Sequence, residues 1–269
     1  MKGTTKSLGQ KDKNDKFYTK SEIVDYCLSF IEIDKYNKII EPSAGDGAFL
    51  KKLPNAIGYD IDPEADDIVK QDFLSLENPK EENILIIGNP PFGVQSNLAI
   101  KFFNKAAEFC DTIAFILPRS FCKDSIKNRL NLNFHLIKEE ILPEDSFLLN
   151  NKNYSVPCVF QIWEKRSIKR KKIKLPLTSD YFEFTKEIAQ ADFRVQRVGG
   201  NAGKAFLDKN GAISSNYYLI NKSNYATEEL VKIINSIVFP SIALTVGPKS
   251  LSKGELCYEV KKNIEDIFS

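Results

Sequence analysis

The chain has 269 residues, 42% of them hydrophobic and 28% charged, with a net charge of +2, which suits a soluble globular protein with one domain of about 150–170 residues and a smaller companion. A single imidazole, His135, gives no basis for a His-based zinc centre or a Ser-His-Asp triad, and the five scattered cysteines (Cys27, Cys110, Cys122, Cys158, Cys257) lack CxxC spacing and read as reduced thiols. No apolar run approaches the roughly 18–20 residues that cross a bilayer and the start lacks the apolar core of a secretory signal, so the expected location is cytoplasmic, or nuclear in a eukaryotic host.

Residues 1–16 are polar and lysine-rich without periodicity, and a flexible tail is expected there. Order should begin near Phe17, with Thr19 or Ser21 capping a helix whose apolar positions Ile23, Val24, Cys27, Leu28 and Ile31 recur at helical spacing. A short strand, Lys38 to Pro42, breaks into Ser43-Ala44-Gly45-Asp46-Gly47, and Ala48 to Leu53 reads as the start of a second helix. Strands follow at Ala56 to Ile61 and Ile84 to Ile87, the latter running directly into Gly88-Asn89-Pro90-Pro91-Phe92. A helical period covers 97–109, and further strands cover Thr112 to Leu117 and Pro157 to Trp163. Alternating strands and helices predict an α/β fold with a parallel, doubly wound sheet.

Lys165 to Lys174 holds seven basic residues and no acid, and marks a domain boundary. Because phosphate attraction responds to local Lys and Arg density rather than to net charge, this run is a solvated linker, a phosphate-contacting strand edge that includes Lys169, Arg170, Lys171 and Lys172, or a nuclear-import signal. Beyond Ser179 the pattern changes to Tyr181 to Phe184, a glycine-rich segment Gly199 to Lys204, a strand Asn216 to Ile220, a helix Thr227 to Ile237 and a looser tail, which together predict a small α+β appendage. Arg194, Arg197 and Lys204 around the glycine-rich segment are candidates to cradle phosphates or reach base edges. The expected division is 1–16 tail, 17–165 catalytic domain, 166–174 basic linker and 175–269 target-recognition domain.

The chemistry concentrates in the first domain. A strand leading into Gly45 and Gly47 lets backbone N–H groups approach a ligand at the carboxyl end of the sheet, although the dinucleotide pattern GxGxxG is absent. Asp60 closes the next strand, where a carboxylate can accept bonds from two ribose hydroxyls, and Asp72-Phe73 follows, suited to an adenine amine and face. This order fits an adenosine-containing ligand. In Asn89-Pro90-Pro91-Phe92 the prolines fix the backbone and remove N–H donors, leaving the Asn89 amide oxygen and the Pro90 carbonyl as acceptors aimed at one point. The guest such acceptors suit is an amine whose lone pair is delocalised, and Phe92 can stack on its ring.

These segments resemble those of the amino-methyltransferases of DNA in their gamma-class order. Phe17-Tyr18-Thr19 resembles the N-terminal motif, Glu41 to Gly47 motif I, Asp60-Ile61-Asp62-Pro63 motif II, Asp72-Phe73 motif III and Asn89 to Phe92 motif IV. The match spans roughly Phe17 to Trp163, and Asn-Pro-Pro-aromatic is shared by RNA and protein-glutamine methyltransferases. The resemblance implies a seven-stranded methyltransferase sheet with S-adenosylmethionine as cofactor and no metal. It places Thr19, Glu41, Ser43, Gly45, Gly47, Asp60, Ile61, Asp72 and Phe73 at the cofactor and Asn89 to Phe92 at the target amine. The implied reaction is methylation of adenine N6 in DNA after the base is flipped out of the helix. The family also sets a second aromatic against the flipped base, for which Phe147 and Tyr154 both qualify. DNA, or alternatively RNA, is the implied partner, and any restriction endonuclease or partner subunit is expected on a separate chain.

Overall fold

The computed structural model describes residues 17–149, 151–244 and 247–267. The tail expected at 1–16 lies outside the described residues. Backbone contacts divide the chain between Lys171 and Lys172, within the basic run.

The first unit is built on a seven-stranded sheet. Its strands are β1 (Lys38–Glu41), β2 (Ala56–Asp60), β3 (Ile68–Lys70), β4 (Ile84–Gly88), β5 (Thr112–Pro118), β6 (Phe134–Ile141) and β7 (Cys158–Lys165), in the order β3-β2-β1-β4-β5-β7-β6. Strands β1 to β5 pair in parallel, whereas β7 runs antiparallel to both β5 and β6. The fully parallel expectation is therefore corrected at one edge. The link from β6 to β7 carries a hairpin of Phe147–Leu149 and Lys152–Tyr154 in place of a crossover helix, so β7 returns antiparallel. This is the seven-stranded α/β sheet expected from the sequence.

Alternation along the central strands fills two cores. Ile84 and Ile86 of β4, with Ile113, Phe115 and Leu117 of β5, pack on one face beneath helix α2 (Asn97–Ala106). Leu85, Ile87, Ala114 and Ile116 point to the other face, where helix α1 (Ser21–Leu28) buries Ile23, Val24 and Cys27. Strands covered on both faces read as continuous apolar runs, as Ile84 to Ile87 does. Helix α2 buries Ala99, Ile100, Phe102, Phe103 and Ala106, which share one face at helical spacing.

Two local expectations are revised. The α1 cap is the Lys20 backbone, whose carbonyl accepts from Ile23 and Val24 at 3.0 Å, and neither Thr19 nor Ser21 caps it through its side chain. The helix expected at Ala48 to Leu53 is a single 3-10 turn, Leu50–Lys52. Strand β2 begins at Ala56, and burial of Phe49 and Leu53 in the α1-side core uses up the short link between.

The second unit holds β8 (Phe182–Thr185), β9 (Phe193–Gln196), β10 (Ala205–Phe206) and β11 (Asn216–Asn221) in the antiparallel order β8-β11-β9-β10, with helices α3 (Thr227–Ser236) and α4 (Lys253–Ile267). It has its own core. Helix α4 replaces the looser tail: Leu256, Cys257, Val260 and Ile264 form a buried stripe, but the surrounding Lys and Glu residues lower the mean hydropathy and hide it.

Candidate active site

The loops after β1, β2 and β4 meet at the carboxyl end of the sheet around a cavity of about 580 Å3. Asp60, at the end of β2, organises them. One carboxylate oxygen accepts the Gly45 N–H at 2.8 Å and the other accepts the Asp62 N–H at 2.8 Å. Gly45 has φ +55°, a left-handed conformation that glycine adopts without strain, and this turns its N–H toward Asp60. Over the same turn lies Tyr18, whose hydroxyl donates to Glu64 at 2.6 Å, while the Glu64 N–H bonds the Gly45 carbonyl at 3.0 Å. Ile61 stands exposed at the mouth. Asp72 accepts the Leu74 N–H at 2.9 Å and caps its own turn, and buried Phe73 stacks on Phe102 with ring centroids 5.5 Å apart. Both line the cavity.

Glu41, at the end of β1, is buried and accepts the Leu50 N–H at 2.9 Å. Burial raises its carboxyl to about 8, opposed by backbone N–H bonds from Leu50 and Phe49 and reinforced by the charges of Asp46 and Asp60.

Asn89 follows β4 directly. Between them, Gly88 lets the ends of β4 and β1 approach, because a Cβ there would stand 3.3 Å from Glu41 Cγ. The Ser43 hydroxyl donates to the Asn89 carbonyl at 3.1 Å, tying the glycine loop to the Asn-Pro-Pro turn. Asn89 Nδ2 faces two acceptors, the Phe17 carbonyl and Thr19 Oγ1, each at 3.4 Å. These contacts orient the amide, and its Oδ1 is left buried with no hydrogen-bond partner among the described residues. Pro90, Pro91 and Phe92 line the same cavity.

The lining selects among nucleotide-type ligands. It carries four carboxylates, Asp46, Asp60, Asp62 and Asp72, beside the protonated carboxyl of Glu41, and no Lys, Arg or His among the described residues. Phosphates of a dinucleotide or a nucleoside triphosphate would be repelled there, whereas a ligand bearing ammonium and sulfonium charges would be attracted. S-adenosylmethionine, the cofactor expected from the sequence, fits this lining: apolar surface at Ile61 and Phe73 for its adenine, carboxylates for its hydroxyls and cationic groups, and glycine-loop backbone beside both.

Several residues singled out in the sequence fall elsewhere. Gly47 shapes the loop at φ +79° but does not line the cavity. Phe147 is fully buried in the α1-side core and is corrected from base-stacking candidate to core residue. Tyr154 is partly exposed and stacks on the cavity-lining Phe17, with centroids 4.8 Å apart and planes 10° apart. Arg170 is not free for phosphate. Its guanidinium donates to the Phe134 carbonyl at 3.0 Å and to those of Lys127 and Leu130, and it lies over the Trp163 ring. Lys169, Lys171 and Lys172 are exposed on irregular backbone, not on a strand edge.

In the second unit Arg194 forks onto Asp208 and bonds Asn216, Arg197 lies over Tyr217, and Lys204 donates to the Asn235 carbonyl. Arg194 and Lys204 are thus engaged by partners within this unit, whereas the Arg197 Nε is buried without an acceptor among the described residues. Sequence reasoning assigned only Thr19 of its motif to the site and passed over Phe17 and Tyr18, which supply a carbonyl to Asn89 and a cover for Gly45; their aromatic pairing directly before Thr19 was the available signal.

No family model matches the chain. It is 35% identical over 85 residues to the type II methyltransferase M.TthHB8I of Thermus thermophilus, covering 27% of this chain and 20% of that protein. It is 34% identical over 105 residues to the type II methyltransferase M.HincII of Haemophilus influenzae, covering 35% and 19%. The stretch matched is thus about a fifth of the length of these relatives. A ribosomal RNA small subunit methyltransferase A of Mycoplasma mobile is 28% identical over 142 residues, covering 47% of this chain and 53% of that protein. Among solved structures, the 23S rRNA methyltransferase ErmE aligns with a TM-score of 0.43 at 15% identity over 57% of this chain and 71% of that one.

Proposed function

We propose that the chain is a methyltransferase that transfers a methyl group from S-adenosylmethionine to the N6 amine of adenine in DNA, with the base flipped out of the helix. The observation that carries this reading is the unpartnered Oδ1 of Asn89, buried at the cavity wall and held there by Thr19 and Phe17. Such an oxygen needs a donor, and its position beside a carboxylate-lined nucleoside pocket calls for an amine.

When bound, S-adenosylmethionine supplies an electrophilic methyl group. The residues of the chain prepare the amine. Asn89 Oδ1 accepts one of its hydrogens and the Pro90 carbonyl the other, which draws the nitrogen out of conjugation with the ring and stabilises the positive charge developing on it. Phe92 packs against the base plane and excludes water. Ser43 and Thr19 fix the Asn89 backbone and amide, so little reorganisation accompanies the reaction.

The sequence matches to type II methyltransferases favour DNA as substrate. A second reading, adenine in RNA, is favoured by the ribosomal RNA methyltransferase match, which extends over more of the chain at lower identity. Incubating the protein with tritiated S-adenosylmethionine and separate DNA, RNA and protein pools decides between them. Label in N6-methyladenine from digested DNA is expected, label in RNA alone would establish the second reading, and label in glutamine or in none would end both.

A further inference from the structure

Arg119 opens the turn that follows β5, at the same carboxyl end of the sheet as Asn89 and one strand along, since β4 and β5 pair in parallel with Gly88 beside Phe115. The turn is anchored. The Arg119 N–H donates to the Pro157 carbonyl at 2.9 Å, and the Ser120 hydroxyl lies 3.0 Å from that of Ser96, on the loop that follows Phe92. The side chain is half-buried. It forms no ion pair among the described residues, and its Nε is buried without an acceptor.

Its neighbours do not supply the missing charge. Its charge acts on the thiols of Cys122 and Cys158, which burial keeps protonated. Glu139, the carboxylate that faces Cys122, is held by Lys127 at 2.9 Å and by the Gln161 amide at 2.7 Å. The planar fork of a guanidinium matches two phosphate oxygens. The cavity at the end of the neighbouring strand poses the complementary difficulty: an adenine attached to a polyanionic strand must enter a space lined by the carboxylates of Asp46, Asp60, Asp62 and Asp72. A cation on the turn one strand along, outside the cavity lining, can hold a phosphate that stays outside while the base enters.

We propose that Arg119 binds a backbone phosphate of the substrate strand next to the nucleotide whose amine Asn89 holds. This rests on the proposed action on nucleic acid. The test compares wild type with Arg119→Gln and Arg119→Lys in the full chain, by fluorescence anisotropy on a labelled single-stranded oligonucleotide over a range of salt concentrations. Removing one phosphate-binding cation from a single-strand site is expected to reduce the slope of log affinity against log salt by about 0.7 in Arg119→Gln. Arg119→Lys should keep most of the slope, and both variants should keep the melting temperature and S-adenosylmethionine affinity of the wild type. An unchanged slope in a folded Arg119→Gln variant overturns the proposal. So does a fall in melting temperature and binding shared by both variants, which would assign Arg119 a structural role. The readout is binding, so a slope change in a protein that methylates no nucleic acid would defeat the methylation reading and leave the phosphate site standing. Methylated DNA with an unchanged slope would remove only Arg119.

Discussion

The amide nitrogen of Asn89 stands 3.4 Å from the Thr19 hydroxyl, so a two-residue strand near the start of the described chain aims the group that closes the cavity after β4. Replacing Asn89 with Ala should lower the single-turnover methyl-transfer rate by about 10²–10³-fold, because the missing acceptor works most strongly as charge develops on the amine. Affinities for cofactor and nucleic acid should stay within several-fold. Thr19→Val, which leaves the Phe17 carbonyl to orient the amide, should cost less than Asn89→Ala. Single-turnover assays run beside thermal melting check both, and near wild-type turnover in a folded, cofactor-binding Asn89→Ala protein would remove Asn89 from the mechanism.

Asp60 ties the glycine loop to the turn after β2 through the N–H groups of Gly45 and Asp62. Each oxygen retains a lone pair for a ribose hydroxyl. Asp60→Ala should therefore lower stability by about 1–3 kcal/mol through the unpaired N–H groups and weaken S-adenosylmethionine binding at least about tenfold. Asp60→Asn, which keeps one acceptor, should fall between. Calorimetric titration with cofactor is the measurement, and unchanged affinity in Asp60→Ala would move the cofactor out of this cleft.

Burial holds the Glu41 carboxyl at about 8, above its ordinary value near 4.3 in the unfolded chain. The folded state thus binds a proton that the unfolded state releases. The contribution of this group to stability is fully present below about pH 4, declines as pH rises toward about 8, and is level beyond. Glu41→Gln keeps an acceptor for the Leu50 N–H and removes the titration. It should match wild type near pH 4 and exceed it by up to a few kcal/mol at pH 8. Urea unfolding at several pH values tests this, and parallel curves for the two proteins would contradict it.

The basic run should divide into two kinds of residue. Arg170→Ala removes donors to three backbone carbonyls and is expected to destabilise the first unit by about 1–3 kcal/mol. Replacing Lys169, Lys171 and Lys172 with Gln should leave melting unchanged and lower the salt slope of DNA binding by up to about one unit for each phosphate that a lysine had neutralised. Melting curves and binding isotherms across salt distinguish them. Intact binding and slope in the triple variant would leave these lysines as linker.

Much of the cavity lining was legible because it depends on local backbone chemistry. Strand, glycine turn and acid recur in fixed order, and Asn-Pro-Pro is rigid whatever surrounds it. Hence Gly45, Asp60, Asp72, Phe73 and Asn89 reach one cavity as their sequence order suggests. The basic residues were not legible in this way. An arginine in a polar run has the same local signature whether it meets phosphate or, like Arg170 and Arg194, folds back onto carbonyls or a carboxylate of its own chain.

The sequence by itself determined the alternating strands, the two-sided apolar pattern of β4 and β5, and the turn chemistry at Gly45 and Asn89, since each follows from neighbours a few residues apart. Only the tertiary structure decided that β7 runs antiparallel, that Phe147 is core while Tyr154 stacks on Phe17, and that the Arg119 Nε is buried without an acceptor where Arg170 and Arg194 have theirs. Each of these depends on which distant segment supplies a hydrogen-bond acceptor, a ring or a countercharge, and a linear pattern does not encode those distances.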